Sequence, residues 1–176
     1  MIEPTTAPAA PTASSTPAFE KRRRQMLNPF LMRLYYLSKL PLAFVAGLGL
    51  RDLDERRAVV TVPCGWRTTN PFRSTYFAAL SMAAELSTGA LAMVNTDLAP
   101  RPVALLIVGL TASFEKKATA TTTFTCEQGD KLAAAVARTL ETGEPATAEV
   151  ETIGRSPDGT VVARFTFTWS FKVRRS

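Results

Sequence analysis

Residues 76–94 read Tyr76-Phe77-Ala78-Ala79-Leu80-Ser81-Met82-Ala83-Ala84-Glu85-Leu86-Ser87-Thr88-Gly89-Ala90-Leu91-Ala92-Met93-Val94. A helix apolar on nearly every side is predicted to be buried, and its many alanines let a sheet approach its axis closely. Glu85 is the only charge between Arg73 and Asp97. An ionised carboxylate in such a place is costly unless it is paired, wetted or protonated. Two readings follow. Either the carboxylate lines a cleft as a general base or nucleophile, or it sits on a solvent-facing stripe with Ser81 and Thr88, four residues before it and three after. Composition alone leaves both open.

Upstream, Asn28 and Pro29 open a predicted helix over 28–40, as N-cap and first helical residue. Phe30, Leu31, Leu34, Leu37 and Leu40 keep helical spacing, and Pro41 stops it. Strands are predicted near 43–52 and 57–63, joined by Asp54-Glu55-Arg56. The loop Cys64–Pro71 then leads into the long helix, expected near 73–94. Downstream of Pro100 and Pro102 the pattern turns to β. Predicted strands span 105–114 and 118–126, a helix 129–142 ends at Gly143, and strands near 145–153 and 160–173 meet at Ser156-Pro157-Asp158-Gly159. The last strand sets Ala163, Phe165, Phe167, Trp169, Phe171 and Val173 on one face and Arg164, Thr166, Thr168, Ser170, Lys172 and Arg174 on the other. This order is satisfied by an α+β fold with a strongly curved antiparallel sheet around one buried helix.

Composition narrows the chemistry. The chain has 176 residues, 46% hydrophobic and 20% charged, within the range of one globular domain. Histidine is absent, which excludes Ser-His-Asp and Cys-His mechanisms and histidine metal sites. Cys64 and Cys126 lack any ligand spacing and read as small hydrophobes. Neither a metal nor a cofactor is expected. The net charge of +6 lies mostly at the ends, in Lys21-Arg22-Arg23-Arg24 and in Lys172, Arg174 and Arg175. A near-neutral body argues against a nucleic-acid partner. Residues 1–25 are expected to be a disordered arm, rich in Pro, Ala, Thr and Ser and ending in the basic run; residues 26–176 are expected to form a single domain. No transmembrane segment is expected, because the longest apolar stretches are about half the length a bilayer demands. A cytoplasmic location follows as an expectation. Gly47 and Gly49 form no phosphate loop, and Trp66 is expected to pack at its loop's base.

The run Asn70-Pro71-Phe72-Arg73-Ser74-Thr75-Tyr76-Phe77-Ala78-Ala79-Leu80, followed by Ala84-Glu85-Leu86 and Gly89, resembles the signature of hot-dog-fold thioesterases. The closest resemblance is to a poorly characterised, domain-of-unknown-function branch related to phenylacetate-degradation-type acyl-CoA thioesterases. It covers about residues 28–173 and also takes in the strand end at Val59–Pro63 and Phe114-Glu115-Lys116-Lys117-Ala118. The resemblance implies a hot-dog fold: a curved antiparallel sheet wrapped around a long central helix, here with an extra N-terminal helix. It also implies an acyl-CoA or acyl-carrier thioester as substrate.

By the same resemblance, Glu85 matches the acidic residue that activates water or attacks the thioester carbonyl. Asn70 matches the loop residue that positions the carbonyl or the water. Thr75, Tyr76, Phe77, Ala78 and Ser81 fall where relatives line the substrate and hold the oxyanion on a helix N-terminus. Tyr76-Phe77-Ala78 stands where many relatives carry His-Gly-Gly. Arg67, Arg73, Lys116 and Lys117 are candidates for the coenzyme A phosphates. The fold further implies a homodimer or a dimer of dimers, with active sites shared between protomers. Dehydratase and isomerase relatives need a histidine, which this chain lacks. The alternative is a non-catalytic acyl- or lipid-binding module on the same fold, which the missing His-Gly-Gly and the apolar last strand would suit.

Overall fold

Five helices and six strands make up the computed structural model, which describes residues 16–174. The elements follow the order α1 (Pro17–Leu27), α2 (Pro29–Lys39), α3 (Pro41–Ala46), β1 (Gly49–Leu53), β2 (Ala58–Val62), α4 (Phe77–Asp97), β3 (Val103–Phe114), β4 (Thr122–Cys126), α5 (Gly129–Thr142), β5 (Ala146–Arg155) and β6 (Val161–Val173). The strands form one antiparallel sheet in the order β1-β2-β4-β5-β6-β3. The sheet curves around α4, giving the α+β architecture expected of the chain.

Burial explains why α4 is the axis. Ala83, Ala84, Ala90 and Ala92 are fully buried, and these small side chains let β2, β4, β5 and β6 pack close to the helix. By length and hydropathy α4 could cross a membrane, but most of it is buried inside the domain. The inward row of β6 supplies the opposite wall: Phe165, Phe167, Trp169 and Phe171 are each at most 3% exposed. Side chains of this size stabilise the fold by about 1.5–3 kcal/mol each when fully buried. Two polar links pin the helix to the sheet. Trp169 Nε1 donates to Thr88 Oγ1 at 3.1 Å, and the Ser87 and Thr152 hydroxyls meet at 2.7 Å.

The N-terminal region departs from the sequence expectation in two places. The basic run expected to end a disordered arm is helical in α1. Thr16 caps it by accepting from Phe19 N, Pro17 starts it, and Phe19 and Met26 bury one face. The arginines are largely paired: Arg22 with Asp97 at 2.5 Å, and Arg23 with Glu20 at 3.6 Å. Residues 1–15 and Arg175 lie outside the described residues. The second correction concerns the strand expected over 43–52. Asn28 and Pro29 do open α2, but after Leu40 a further helix, α3, starts at Pro41 and ends at Gly47 with φ 73°. Only then does β1 begin. Pro41 stops one helix and starts another, because a missing N–H costs nothing at a first helical position. The described residues thus carry three helices before the first strand, where one extra helix was expected.

Two further adjustments are smaller. The strand expected from Ala118 begins only at Thr122, because Ala118 instead receives Thr75 N at 2.8 Å and Thr75 Oγ1 at 3.1 Å. Trp66 does not pack at its loop base; it is 87% exposed.

Candidate active site

Glu85 projects from the middle of α4 into an apolar cavity of about 270 Å³. Leu40, Pro41, Leu42 and Leu48 close it from the α2–α3 side, with Lys39 as its other charged residue, and Met82 and Leu86 close it from α4 itself. Burial alone raises the Glu85 pKa above its ordinary value of 4.5. Among the described residues, no ion pair or hydrogen bond is made by its carboxylate. The space that receives the carboxylate exists because residue 89, one turn on, has no side chain. A Cβ there would stand 2.9 Å from Glu85 Oε1 and 3.5 Å from the Trp169 ring. The structure places Glu85 in a cavity and removes the solvent-facing stripe. Thr88 is fully buried, so no solvent stripe joins it to Ser81, and the glutamate lines a cleft.

The sequence did not point to Tyr36, a buried residue of α2. This tyrosine is 2% exposed, and burial pushes its pKa up to about 12. Its place on the inner face of α2 follows from helical spacing.

Asn70 stands elsewhere, in a second cavity of about 460 Å³ at the N-terminal end of α4. Its Oδ1 is occupied, accepting from Phe72 N at 3.0 Å, Ser74 N at 3.2 Å and Ser74 Oγ at 3.3 Å. These bonds fix the loop, in which Arg73 takes a left-handed φ of 60°. The Nδ2 group donates to nothing among the described residues, so Asn70 is equipped to donate to a carbonyl rather than to accept from a water.

Thr75, Tyr76 and Phe77 line this second cavity with Phe114, Lys116 and Lys117. Tyr76 is the N-cap of α4 but gives it no side-chain cap. The amides of Phe77 and Ala78, in the first turn, have no intrahelical acceptor. They offer donors and a positive dipole end to a developing oxyanion. Thr75 is held to the Ala118 carbonyl and shapes the wall. Ala78 is half-buried, and Ser81 commits its hydroxyl to the Phe77 carbonyl at 2.8 Å; neither lines either cavity. The four phosphate candidates separate. Lys116 and Lys117 border the Asn70 cavity, Arg73 does not, and Arg67 lies in a different cleft beside α3.

Within one chain, then, the Glu85 cavity and the Asn70 cavity share no lining residue. Among the described residues there is no cluster of three metal-ligating side chains.

Residues 31–171 match the family described as Domain of unknown function (DUF4442). No curated protein matches the chain. Among solved structures the fold is similar to PA5026 of Pseudomonas aeruginosa, a protein of unknown function. That likeness has 20% identity and a TM-score of 0.67, over 85% of this chain and 99% of that one. It is also similar to the thioesterase PA1618 of the same organism, at 15% identity and a TM-score of 0.62, over 84% and 96% of the two chains. A third is the thioesterase SAV0944 of Staphylococcus aureus, at 13% identity and a TM-score of 0.57, over 75% and 98%. SAV0944 has been solved with a glutamine and with a glutamate changed to alanine, at positions fifteen residues apart. These likenesses establish a hot-dog fold.

Proposed function

The chain belongs to the DUF4442 family, and from that premise we propose that it hydrolyses an acyl thioester, with acyl-CoA as the substrate class. The observation that carries this reading is Glu85: one unpaired carboxylate, raised in pKa by an apolar cavity, in the middle of the central helix of a hot-dog fold. Its separation from Asn70 is fifteen residues, the spacing of the two altered positions in SAV0944. A carboxylate poised above its usual range is the better base near neutral pH.

In the proposed reaction, ionised Glu85 takes a proton from water as the water oxygen adds to the thioester carbonyl. The negative charge on the tetrahedral oxygen is met by the Phe77 amide at the start of α4 and by Asn70 Nδ2. Collapse breaks the carbon–sulfur bond, the proton on Glu85 passes to the leaving thiolate, and acid and thiol result. Attack by Glu85 itself, followed by hydrolysis of the anhydride, uses the same groups. The apolar Leu42–Met82 cavity suits the acyl chain, and Lys116 and Lys117 suit the anionic end of the thiol carrier.

Because Glu85 and Asn70 line separate cavities in one chain, the reading includes a homodimer in which each site takes Glu85 from one protomer and Asn70 from the other. The sheet ends in β3, a twelve-residue edge strand whose Leu106, Val108, Leu110 and Phe114 are each more than half exposed. A long apolar edge of this kind favours pairing with a second copy.

The test is thiol release from acyl-CoAs of increasing chain length, comparing the protein with Glu85→Gln. Turnover in the parent that falls at least about a hundredfold in the variant is expected for loss of a general base. Undiminished turnover in the variant would overturn the mechanism. Tight binding without turnover in the parent would make the protein an acyl-binding module.

A further inference from the structure

A third cleft, of about 250 Å³, opens between α2, α3, the start of β1 and the loop after β2. Arg33, Arg51 and Arg67 all line it, and no acidic side chain does. None of the three makes an ion pair among the described residues. Glu85 is not their counter-ion either, since none of the ion pairs among the described residues involves it. Three guanidinium groups gathered without a carboxylate repel one another, and the arrangement gains stability when an anion sits between them.

Two of the three lie against glycines that leave them room. Arg51 folds back over Gly49 and donates from Nε to Thr61 Oγ1 at 2.9 Å, which fixes the guanidinium plane. A Cβ on residue 49 would lie 2.8 Å from Arg51 Cζ, so the absence of a side chain there permits this position. Arg67 reaches across the turn that ends α3, its Nη2 lying 3.2 Å from where a Cβ of residue 47 would stand. Gly47 and Gly49 match no phosphate loop by sequence. In the structure each makes room for a guanidinium.

An independent observation comes from the floor of the cleft. Tyr36 lines it, is 2% exposed, and lies by the Leu50 backbone without a well-formed hydrogen bond. A buried hydroxyl without a partner is destabilising, and an oxygen-rich anion in the cleft would supply the missing acceptor.

We propose that the Arg33–Arg51–Arg67 cleft binds a phosphate or pyrophosphate group, with the Tyr36 hydroxyl as a further donor. Guanidinium forks suit phosphate oxygens, which they can bind in pairs. The site is separate from the Asn70 cavity and from Lys116 and Lys117, and it does not depend on the thioesterase reading. The phosphate could belong to the nucleotide end of coenzyme A or to a free phosphorylated metabolite.

The test is calorimetric titration of the full chain with inorganic pyrophosphate, coenzyme A and adenosine 3′,5′-bisphosphate at low ionic strength. Saturable binding is expected, weakened about tenfold by Arg51→Gln and by Arg67→Gln, as for loss of one charge-assisted contact. Gly49→Ala should weaken it too, by displacing the Arg51 guanidinium with every charge retained. Arg138→Gln, on an exposed face of α5, should leave it unchanged. Coenzyme A binding more tightly than pyrophosphate assigns the site to the nucleotide end of the carrier, and equal binding assigns it to a free phosphorylated ligand. Failure to saturate at millimolar concentrations, or equal weakening by Arg138→Gln and Arg51→Gln, would overturn the proposal. Thiol release is not a readout, so failure here leaves the role of Glu85 untouched, and loss of that role leaves the cleft untouched.

Discussion

Glu85 holds its place at a cost to stability that the sign of its pKa shift makes measurable. Burial raises its folded-state pKa above 4.5, so the folded protein binds this proton more tightly than the unfolded chain does. The stability so gained is complete below the unfolded value and is lost as pH rises through the folded one. At pH 7 the charged, desolvated carboxylate is therefore a liability, and at pH 4 it is not. Glu85→Gln should raise Tm at pH 7 and leave it nearly unchanged at pH 4, while lowering turnover at pH 7 at least about a hundredfold. In the parent, turnover should rise with pH through a transition above the ordinary carboxylate range, because the base must be ionised. Scanning calorimetry and a pH–rate profile check both. A variant less stable at pH 7 would make Glu85 a structural residue. The sequence showed Glu85 as the single charge in an apolar helix. Its setting was not legible there, since that depends on Leu40, Pro41 and Leu42 arriving from a region that reads as helix, then stop, then strand.

Elements whose faces alternate cleanly between apolar and polar are the ones the sequence revealed. In β6 the period-two row Ala163–Phe171 is buried throughout, and α5 runs over 129–142 as its pattern dictates. Where a short apolar run has no length to show its period, as in Pro41–Ala46, helix and strand look alike, and packing against α2 selects α3. Within α4 the informative position is Gly89. A glycine inside a helix costs about 0.5–1 kcal/mol relative to alanine, yet a Cβ here would press on Glu85 Oε1. The carboxylate is the mobile end of a flexible side chain and can turn away, so folding should survive. Gly89→Ala should keep or slightly raise Tm while lowering kcat about tenfold through displacement of the base. Thermal unfolding and steady-state kinetics separate the two effects. A drop in Tm with kcat retained would show that the glycine serves packing against Trp169 instead.

For the whole molecule, the question is where a complete site exists. One chain presents Glu85 in one cavity and Asn70 with the free α4 amides in another. The sequence could list both residues at a fixed spacing. It could not show that fifteen positions along a loop and a helix carry them to separate faces. A shared site makes a prediction that a site within one chain does not. Asn70→Ala and Glu85→Gln homodimers should each be inactive. In a mixed dimer with shared sites, one site inherits both lesions and the other inherits neither. Random reassortment makes half of all dimers mixed, with one intact site in two, so unfolding and refolding an equimolar mixture should restore about one quarter of parental activity. The measurement is thiol release before and after refolding, with each variant refolded alone as the control. If Asn70 and Glu85 act within the same chain, every site in the mixture still carries a lesion, and activity should stay at the level of the separate variants.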